Sequence, residues 1–241
     1  QAKARIDPVV AHGAYLIKLS ADSPATRRRS REALEDELRR CELLGIAGLI
    51  FHPGAHMGKG EDEGIRAIAE SINHVHDRTP GFRTRTVLET TAGQGTALGH
   101  RFAQLAAIID RVEAQERMGV CLDTCHLFAA GYPIHTAPGW ESMMRELEET
   151  IGLHRVTAIH VNDSRREFGS RIDRHEHIGK GKIGLRGFQL MMNDPRRYTG
   201  KATRRLIPTS PLFSLKRRMK TVPTENCGIR RVSAGTTIYG R

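Results

Sequence analysis

The chain has 241 residues, of which 39% are hydrophobic and 27% are charged, a balance typical of a water-soluble globular protein. It contains no apolar run near the roughly 18 residues of a membrane-spanning helix, no apolar core of a secretory signal, and only four cysteines. Composition therefore excludes a membrane protein, a disulfide-rich secreted protein and a disordered chain, and it predicts a cytoplasmic location.

The formal net charge of +11 is concentrated toward one end of the sequence. Ten of the 38 Lys and Arg residues, but only one of the 27 Asp and Glu residues, lie from Gly200 onward. Cationic segments of this kind can neutralise nucleic-acid phosphates. We therefore divide the chain into a nearly balanced body, residues 1–199, and a divergent basic tail, residues 200–241, which we expect to be disordered.

Five short apolar runs in the body alternate with amphipathic patterns. The runs predict strands at 8–12, 48–52, 86–89, 119–123 and 157–160, and the patterns predict helices at 30–44, 64–75, 101–112, 141–151 and 185–192. Strands that alternate with helices in this way indicate an α/β fold with a parallel sheet covered by helices.

Every predicted strand ends in a residue that can bind a metal ion. These residues are His12, His52, Glu89, Asp123 and His160. In the four strands that end at His52, Glu89, Asp123 and His160, the residue two positions earlier lies on the same face, because side chains alternate along a strand. Active sites of parallel β/α barrels are built at the carboxyl ends of successive strands, whereas an open sheet gathers its ligands at one switch point. The pattern therefore favours a barrel.

Three further candidate ligands follow the last strands of the pattern, namely His126, Asp173 and His175. Imidazole and carboxylate groups suit zinc, manganese or iron(II), and eight of them are too many for one ion. Two or three ions that share Glu89 are the natural interpretation, and clustered divalent ions suit phosphodiester hydrolysis. Cys121 and Cys125 lack the paired spacing of a zinc knuckle and are assigned to core packing.

Six motifs occur in a fixed order along the body: HGAYL from His12, FHPGAH from Phe51, LETTAGQG from Leu88, CLDTCHLFAAGY from Cys121, HVND from His160 and DRHEHIGKGKIG from Asp173. Together they resemble the endonuclease IV family, the zinc-dependent apurinic/apyrimidinic endonucleases of DNA base-excision repair. The resemblance covers roughly residues 5 to 199.

The resemblance implies a (β/α)₈ TIM barrel of the xylose-isomerase-like type with three zinc ions at its rim. The implied activity is cleavage of double-stranded DNA on the 5′ side of an abasic site, which leaves a 3′-hydroxyl and a 5′-sugar phosphate. By resemblance, His12, His52 and Glu89 would hold the first zinc; Glu89, Asp123 and His160 the second; and His126, Asp173 and His175 the third. A water between the first two ions would be the nucleophile.

Two residues match the positions at which the family inserts side chains beside a flipped-out abasic nucleotide. They are Tyr15 and Leu16, and an aromatic and an aliphatic wedge are suited to unstacking a duplex. The resemblance also implies a monomer.

The sequence departs from the family pattern at both ends. The resemblance begins at the family's third strand, so the first two strand–helix units and their DNA-contacting loop are expected to be absent. Near the other end, the family's eighth strand carries a glutamate ligand of the second zinc. Here the chain continues from Lys201 with basic residues, and Glu225 is the only acidic residue that follows. We therefore expect an incomplete barrel whose second zinc lacks one ligand.

Two other functions remain open on the sequence. One is a metal-dependent sugar isomerase or epimerase of the same barrel type, although a third set of ligands argues for the nuclease. The other is an inactive remnant that binds DNA through its basic tail, in which case deletion of residues 200–241 would abolish binding.

Overall fold

The computed structural model describes residues 8–14 and 17–196 and the backbone of residues 238–239. Its main sheet contains five parallel strands in chain order: β1 (Val10–His12), β2 (Gly48–Phe51), β3 (Arg85–Glu89), β4 (Met118–Asp123) and β5 (Val156–His160). All five predicted strands are confirmed to within a residue or two at each end. The sequential parallel order is that of a curled part-barrel, as the sequence predicted.

In the part of the chain that the structure describes, six α-helices flank or cap the sheet: α1 (Pro24–Leu43), α2 (Glu61–Asp77), α3 (Phe102–Ile109), α4 (Thr124–Ala130), α5 (Ala137–Thr150) and α6 (Gly184–Asn193). Helix α1 begins before the predicted residue 30, because the Ser23 side chain caps its first turn and Pro24 suits the first helical position. Helix α4 was not predicted. It is short, it is capped by the Asp123 carboxylate, and it ends at Gly131 with a φ of 105°.

Three very short strands complete the set of strands in the described residues. β6 (Asp163–Ser164) and β7 (His175–Glu176) form an antiparallel hairpin, and β8 (Ile238–Tyr239) lies antiparallel to β5. The rest of the basic tail, including Glu225, lies outside the described residues, so its disorder stays a prediction. Among the helices of the described residues, none combines the length and the apolar character needed to cross a bilayer.

The larger part of the core lies between the helices and the outer face of the sheet. Leu49, Phe51, Leu88, Val120 and Leu122 are buried there at 2% exposure or less. Burial of each large apolar side chain stabilises the fold by roughly 1.5–3 kcal/mol. This outer face therefore supplies most of the packing that holds the strands in register.

A second and much smaller apolar cluster lies on the inner face of the sheet. It consists of Val10, Ile50, Val87, Cys121 and Ala158. Each of these residues precedes a predicted ligand by two positions, so each ligand stands directly above one of them on the same face. The inner cluster is therefore the floor on which the rim residues are placed.

Strand β5 contains a β-bulge that decides where its last residue points. Val120 of β4 pairs with Val156, but the next residue, Cys121, pairs with Ala158. Thr157 is therefore an extra residue with no partner of its own in the ladder.

The bulge shifts the inward-facing residues of β5 by one position. A Cβ atom added to Gly119 would collide with the Thr157 hydroxyl, which shows that Thr157 faces inward, and the adjacent Ala158 belongs to the inner cluster. Because two consecutive residues face inward, the alternation beyond them brings His160 onto the inner face, opposite Asp123.

Candidate metal centre

Glu89 lies at the centre of the rim and is only 2% exposed. Its Oε2 is 2.8 Å from His12 Nε2 and 3.3 Å from His52 Nε2, and its Oε1 is 2.7 Å from His160 Nδ1. Burial alone would raise the pKa of this carboxyl, but the hydrogen bonds from the three imidazoles hold it well below its usual range. Glu89 is therefore an anion with imidazoles on both of its oxygens.

Asp173 joins a second pair of histidines. Its Oδ2 is 3.1 Å from His126 Nε2 and its Oδ1 is 3.1 Å from His175 Nε2. Burial would lower the pKa of His126, but the carboxylates of Asp123, Asp173 and Glu89 outweigh it and raise that pKa to about 10. The site therefore carries enough negative charge to hold a buried cation.

The two halves form one continuous cluster. His126 Nδ1 lies 3.6 Å from Glu89 Oε1, and ring centroids are 5.8 Å apart for His12 and His52 and 5.4 Å apart for His52 and His126. The structure thus brings together all eight predicted ligands: His12, His52, Glu89, Asp123, His126, His160, Asp173 and His175.

Backbone carbonyls fix which nitrogen of two imidazoles faces the cluster. His126 Nδ1 lies 2.7 Å from the Thr90 oxygen and His12 Nδ1 lies 2.9 Å from the Gly13 oxygen. A ring nitrogen beside a carbonyl oxygen must donate, so Nε2 donates to a carboxylate only while the ring is protonated, and in the neutral ring Nε2 carries the lone pair. Both Nε2 atoms are the ones that face carboxylates, which is the arrangement of imidazoles prepared to bind metal ions.

The Asp123 carboxylate is held by hydrogen bonds that sequence reasoning did not foresee. Asn162 Nδ2 donates to Asp123 Oδ2 at 2.7 Å, and the backbone N–H of His126 donates to Oδ1 at 3.0 Å. Thr124 donates its hydroxyl to the backbone carbonyl oxygen of Asn162 at 2.6 Å and so fixes the backbone that carries the asparagine. The only sequence signal for Asn162 was its place in the HVND motif.

The donor set fits divalent ions. Among the described residues, three groups made only of histidines and carboxylates have ligand atoms within 4.8 Å of one another: His12 with His52 and Glu89; Glu89 with Asp123 and His126; and His126 with Asp173 and His175. In the described part of the chain, the buried Nε2 of His160 has no hydrogen-bond partner, a cost that a bound ion would remove. Imidazole and carboxylate ligands in this ratio suit zinc, manganese or iron(II).

Basic side chains surround the hairpin that carries His175. Exposed on β6, β7 and the loops beside them are Arg165, Arg166, Arg171, Arg174, Lys180 and Lys182. The loop after β7 is held in place by Asp163, whose fully buried carboxylate accepts hydrogen bonds from the backbone of Gly179, Gly181 and Ile183 at 2.9 to 3.0 Å. The exposed basic side chains and the predicted ligand His175 therefore lie on one hairpin and its following loop, which hydrogen bonds hold in place.

The predicted DNA-inserting residues Tyr15 and Leu16 lie outside the described residues. They follow Gly13 and Ala14, which leave the carboxyl end of β1 beside the cluster. Their role stays a prediction.

Comparisons with known proteins agree with this geometry. The family described as Xylose isomerase-like TIM barrel matches residues 2–202. A protein of Chloroflexus aurantiacus named "Probable endonuclease 4" is 47% identical over 196 residues, which are 81% of this chain and 69% of that protein. One of the same name from Geobacter sulfurreducens is 49% identical over 193 residues, 80% of this chain and 65% of its own length. This chain therefore spans about two thirds of each relative.

Solved structures give the same result. The crystal structure of endonuclease IV from Thermus thermophilus matches with a TM-score of 0.67 and 29% identity, and the match covers 88% of this chain and 75% of that one. A D-tagatose 3-epimerase-like protein matches with a TM-score of 0.63 and 17% identity, over 79% of this chain and 68% of that one. At that identity the second likeness shows the shared barrel fold alone.

Proposed function

The chain belongs to the endonuclease IV family of xylose isomerase-like TIM barrels, and on this premise we propose that it is a DNA-repair hydrolase. Its substrate would be double-stranded DNA with abasic sites, cut on the 5′ side to leave a 3′-hydroxyl and a 5′-sugar phosphate. The observation that carries the proposal is the convergence of Glu89 and the seven other predicted ligands, with the Glu89 carboxylate between His12 and His160.

We assign three zinc ions to the rim. His12, His52 and Glu89 would hold the first; Glu89, Asp123 and His160 the second; and His126, Asp173 and His175 the third. When bound, the ions lower the pKa of a water and neutralise the charge on the attacked phosphate.

The side chains of this protein keep that arrangement fixed. Glu89 offers one oxygen to each of the first two groups, so it sets their spacing. Asn162 holds Asp123 in one orientation, and the Thr90 carbonyl keeps His126 in one tautomer. Outer hydrogen bonds of this kind typically contribute about 10- to 100-fold to metal affinity or activity.

Binding of DNA would rest on the cations beside the rim. The exposed Arg166 and Lys180 lie on the same hairpin and loop as His175, so a phosphate backbone that they contact also passes the metal centre. The family resemblance adds Tyr15 and Leu16 as the side chains that enter the duplex at the lesion.

The direct test is cleavage of a labelled duplex that carries one tetrahydrofuran abasic analogue, with zinc-loaded protein. We expect a single cut on the 5′ side of the analogue, and a loss of more than about 100-fold in the Glu89→Gln variant. The matched control is Glu70→Gln, which changes an exposed carboxylate on α2.

The same preparations distinguish the other candidates. Absence of cleavage together with interconversion of ketose sugars would replace the nuclease with an epimerase. Binding of DNA that is lost on deletion of residues 200–241, again without cleavage, would indicate a DNA-binding remnant. Equal cleavage by wild type and Glu89→Gln would contradict the proposed metal centre.

A further inference from the structure

The segment that joins β1 to α1 contains a turn whose two ends are held by hydrogen bonds. The backbone N–H of Ile17 donates to the Ala14 carbonyl oxygen at 3.2 Å, which is the contact that typically closes a four-residue β-turn. Ile17 is buried in the core, whereas Ala14 is exposed at the carboxyl end of β1. The positions between them are Tyr15 and Leu16, which lie outside the described residues. The ends of the turn at 14–17 therefore set where the chain carries those two residues.

Glu37 on helix α1 holds the first end of this turn. Its carboxylate accepts the backbone N–H of Ala14 with both oxygens, at 3.1 and 3.3 Å. The neighbouring Gly13 permits this approach, because a Cβ atom added there would lie only 3.0 Å from Glu37 Oε2. Hydrogen bonds from a backbone N–H to an ionised carboxylate are stronger than bonds between neutral groups. Helix α1 therefore anchors the chain two residues beyond the predicted ligand His12.

Ser30 on the same helix holds the chain just after the turn. The backbone N–H of Lys18 donates to Ser30 Oγ at 3.0 Å, and this hydroxyl donates in turn to the Thr26 carbonyl oxygen at 2.9 Å. Ser30 is only 4% exposed, so water has little access to replace the bond to Lys18. Glu37 follows Ser30 by seven positions, about two helical turns, so both side chains lie on one face of α1. That face therefore fixes the chain on both sides of the turn.

We propose that Glu37 and Ser30 are positioning residues for the cleavage of abasic DNA. By holding both sides of the turn, they fix its place relative to His12, so that the step at which the duplex is unstacked stays in register with the metal centre. A displacement of about 1 Å between a bound substrate and the reacting groups can cost roughly 100-fold in rate. The inference deepens the proposed function, and it rests on the DNA substrate and on insertion of Tyr15 and Leu16.

The test uses zinc-loaded protein and a duplex with 2-aminopurine opposite a tetrahydrofuran abasic analogue. The fluorescence of 2-aminopurine rises when the base loses its stacking, and stopped-flow mixing records this rise before cleavage. We expect Glu37→Ala to lose most of the rise and to cleave saturating DNA about 10- to 100-fold more slowly, with the zinc content of the wild type. Glu37→Gln should recover most of both, because its amide oxygen can accept from Ala14. The matched control is Glu32→Ala, an exposed carboxylate of α1 that lies 3.9 Å from Arg28.

Ser30→Ala is the second variant, and it tests the other side of the turn. Alanine suits a helix and nearly keeps the volume, so this change removes little besides the bond to Lys18, and we expect a smaller loss of the same two signals.

The failures of this inference and of the proposed function are distinguishable. Wild-type fluorescence and cleavage in both alanine variants would overturn the inference and leave the nuclease intact. A Glu37→Gln variant as impaired as Glu37→Ala would also overturn it, as would a loss of zinc in Glu37→Ala that parallels its loss of cleavage. Cleavage by the wild type without a fluorescence rise would remove side-chain insertion and the inference, but not the nuclease. Absence of cleavage by the wild type would overturn the inference and the proposed function together.

Discussion

Gly119 lies where the inner face of β4 meets the bulge of β5. Its replacement tests the proposal that this bulge brings the His160 side chain onto the inner face of the sheet. A Cβ atom at this position would collide with the Thr157 hydroxyl, while its next neighbours, Thr157 Cβ and Val87 Cγ2, would be 3.4 Å away. Gly119→Ala therefore introduces one severe contact and otherwise ordinary ones.

The expected magnitude follows from that single contact. Overpacking in a close-packed interior costs roughly 1–3 kcal/mol, and the smaller entropy of the unfolded alanine chain offsets about 0.4–1 kcal/mol. We expect Gly119→Ala to lower the free energy of unfolding by about 1–2 kcal/mol. Urea denaturation followed by circular dichroism measures this change.

The second substitution should restore stability if the reasoning is right. Thr157→Ala removes the colliding hydroxyl at the cost of one weak hydrogen bond, 3.3 Å to the Arg155 oxygen. In that background Gly119→Ala should cost less than about 0.5 kcal/mol, whereas in a Thr157→Val background, which keeps the volume, the cost should persist. Equal costs of Gly119→Ala in all three backgrounds would refute the inward position of Thr157 and the bulge with it.

Three further predictions concern acid stability, the rim loop and DNA binding. Burial, with a contribution from Arg117, lowers the pKa of His76 to about 4. The free energy of unfolding should therefore fall by about 3 kcal/mol as the pH drops from 6.5 to 4, because the unfolded chain binds a proton that the folded protein does not. In urea titrations His76→Gln should reduce this pH dependence, and substitution of the exposed His74 should leave it unchanged. Asp163→Asn should cost about 3 kcal/mol in the same assay, because an amide nitrogen cannot accept from the loop N–H groups, and a cost below 1 kcal/mol would contradict that bracing role. The double variant Arg166→Ala, Lys180→Ala should reduce the slope of a plot of log affinity for duplex DNA against log salt concentration by about 2, because each cation neutralises one phosphate. An unchanged slope would show that these two residues of the hairpin and its loop do not contact DNA phosphates.

The strands and the rim could be predicted because their signals are local. Side chains alternate between the two faces of a strand, so residues two positions apart in the sequence share a face. The pairs Ile50 with His52 and Val87 with Glu89 therefore predicted that the candidate ligands lie on one rim. His160 lies on the same face as Ala158, as predicted, because the predicted strand began at the bulge. An unbroken alternation from Val156 would have turned this histidine to the outer face.

The missed features depend on contacts between distant segments or on residues with two roles. Asp123 is a predicted rim ligand and also the cap of α4, and the second role cannot be seen until the helix is known. Asn162 positions Asp123 across two strands, and no spacing in the sequence indicates that contact. Cys121, by contrast, was assigned to packing, and the inner cluster confirms this.

The floor of small apolar residues beneath the rim has a consequence for how this protein can change over evolution. Along β2, β3 and β4, residues that face the helices and secure folding alternate with residues that face the rim, where the chemistry would take place. A scan of all substitutions should therefore show a two-residue rhythm, in which abundance in cells fails at Leu49 or Leu88 and function fails at Glu89 with abundance preserved. Such a layout allows a lineage to exchange its metal, and with it its reaction, while the scaffold is inherited unchanged.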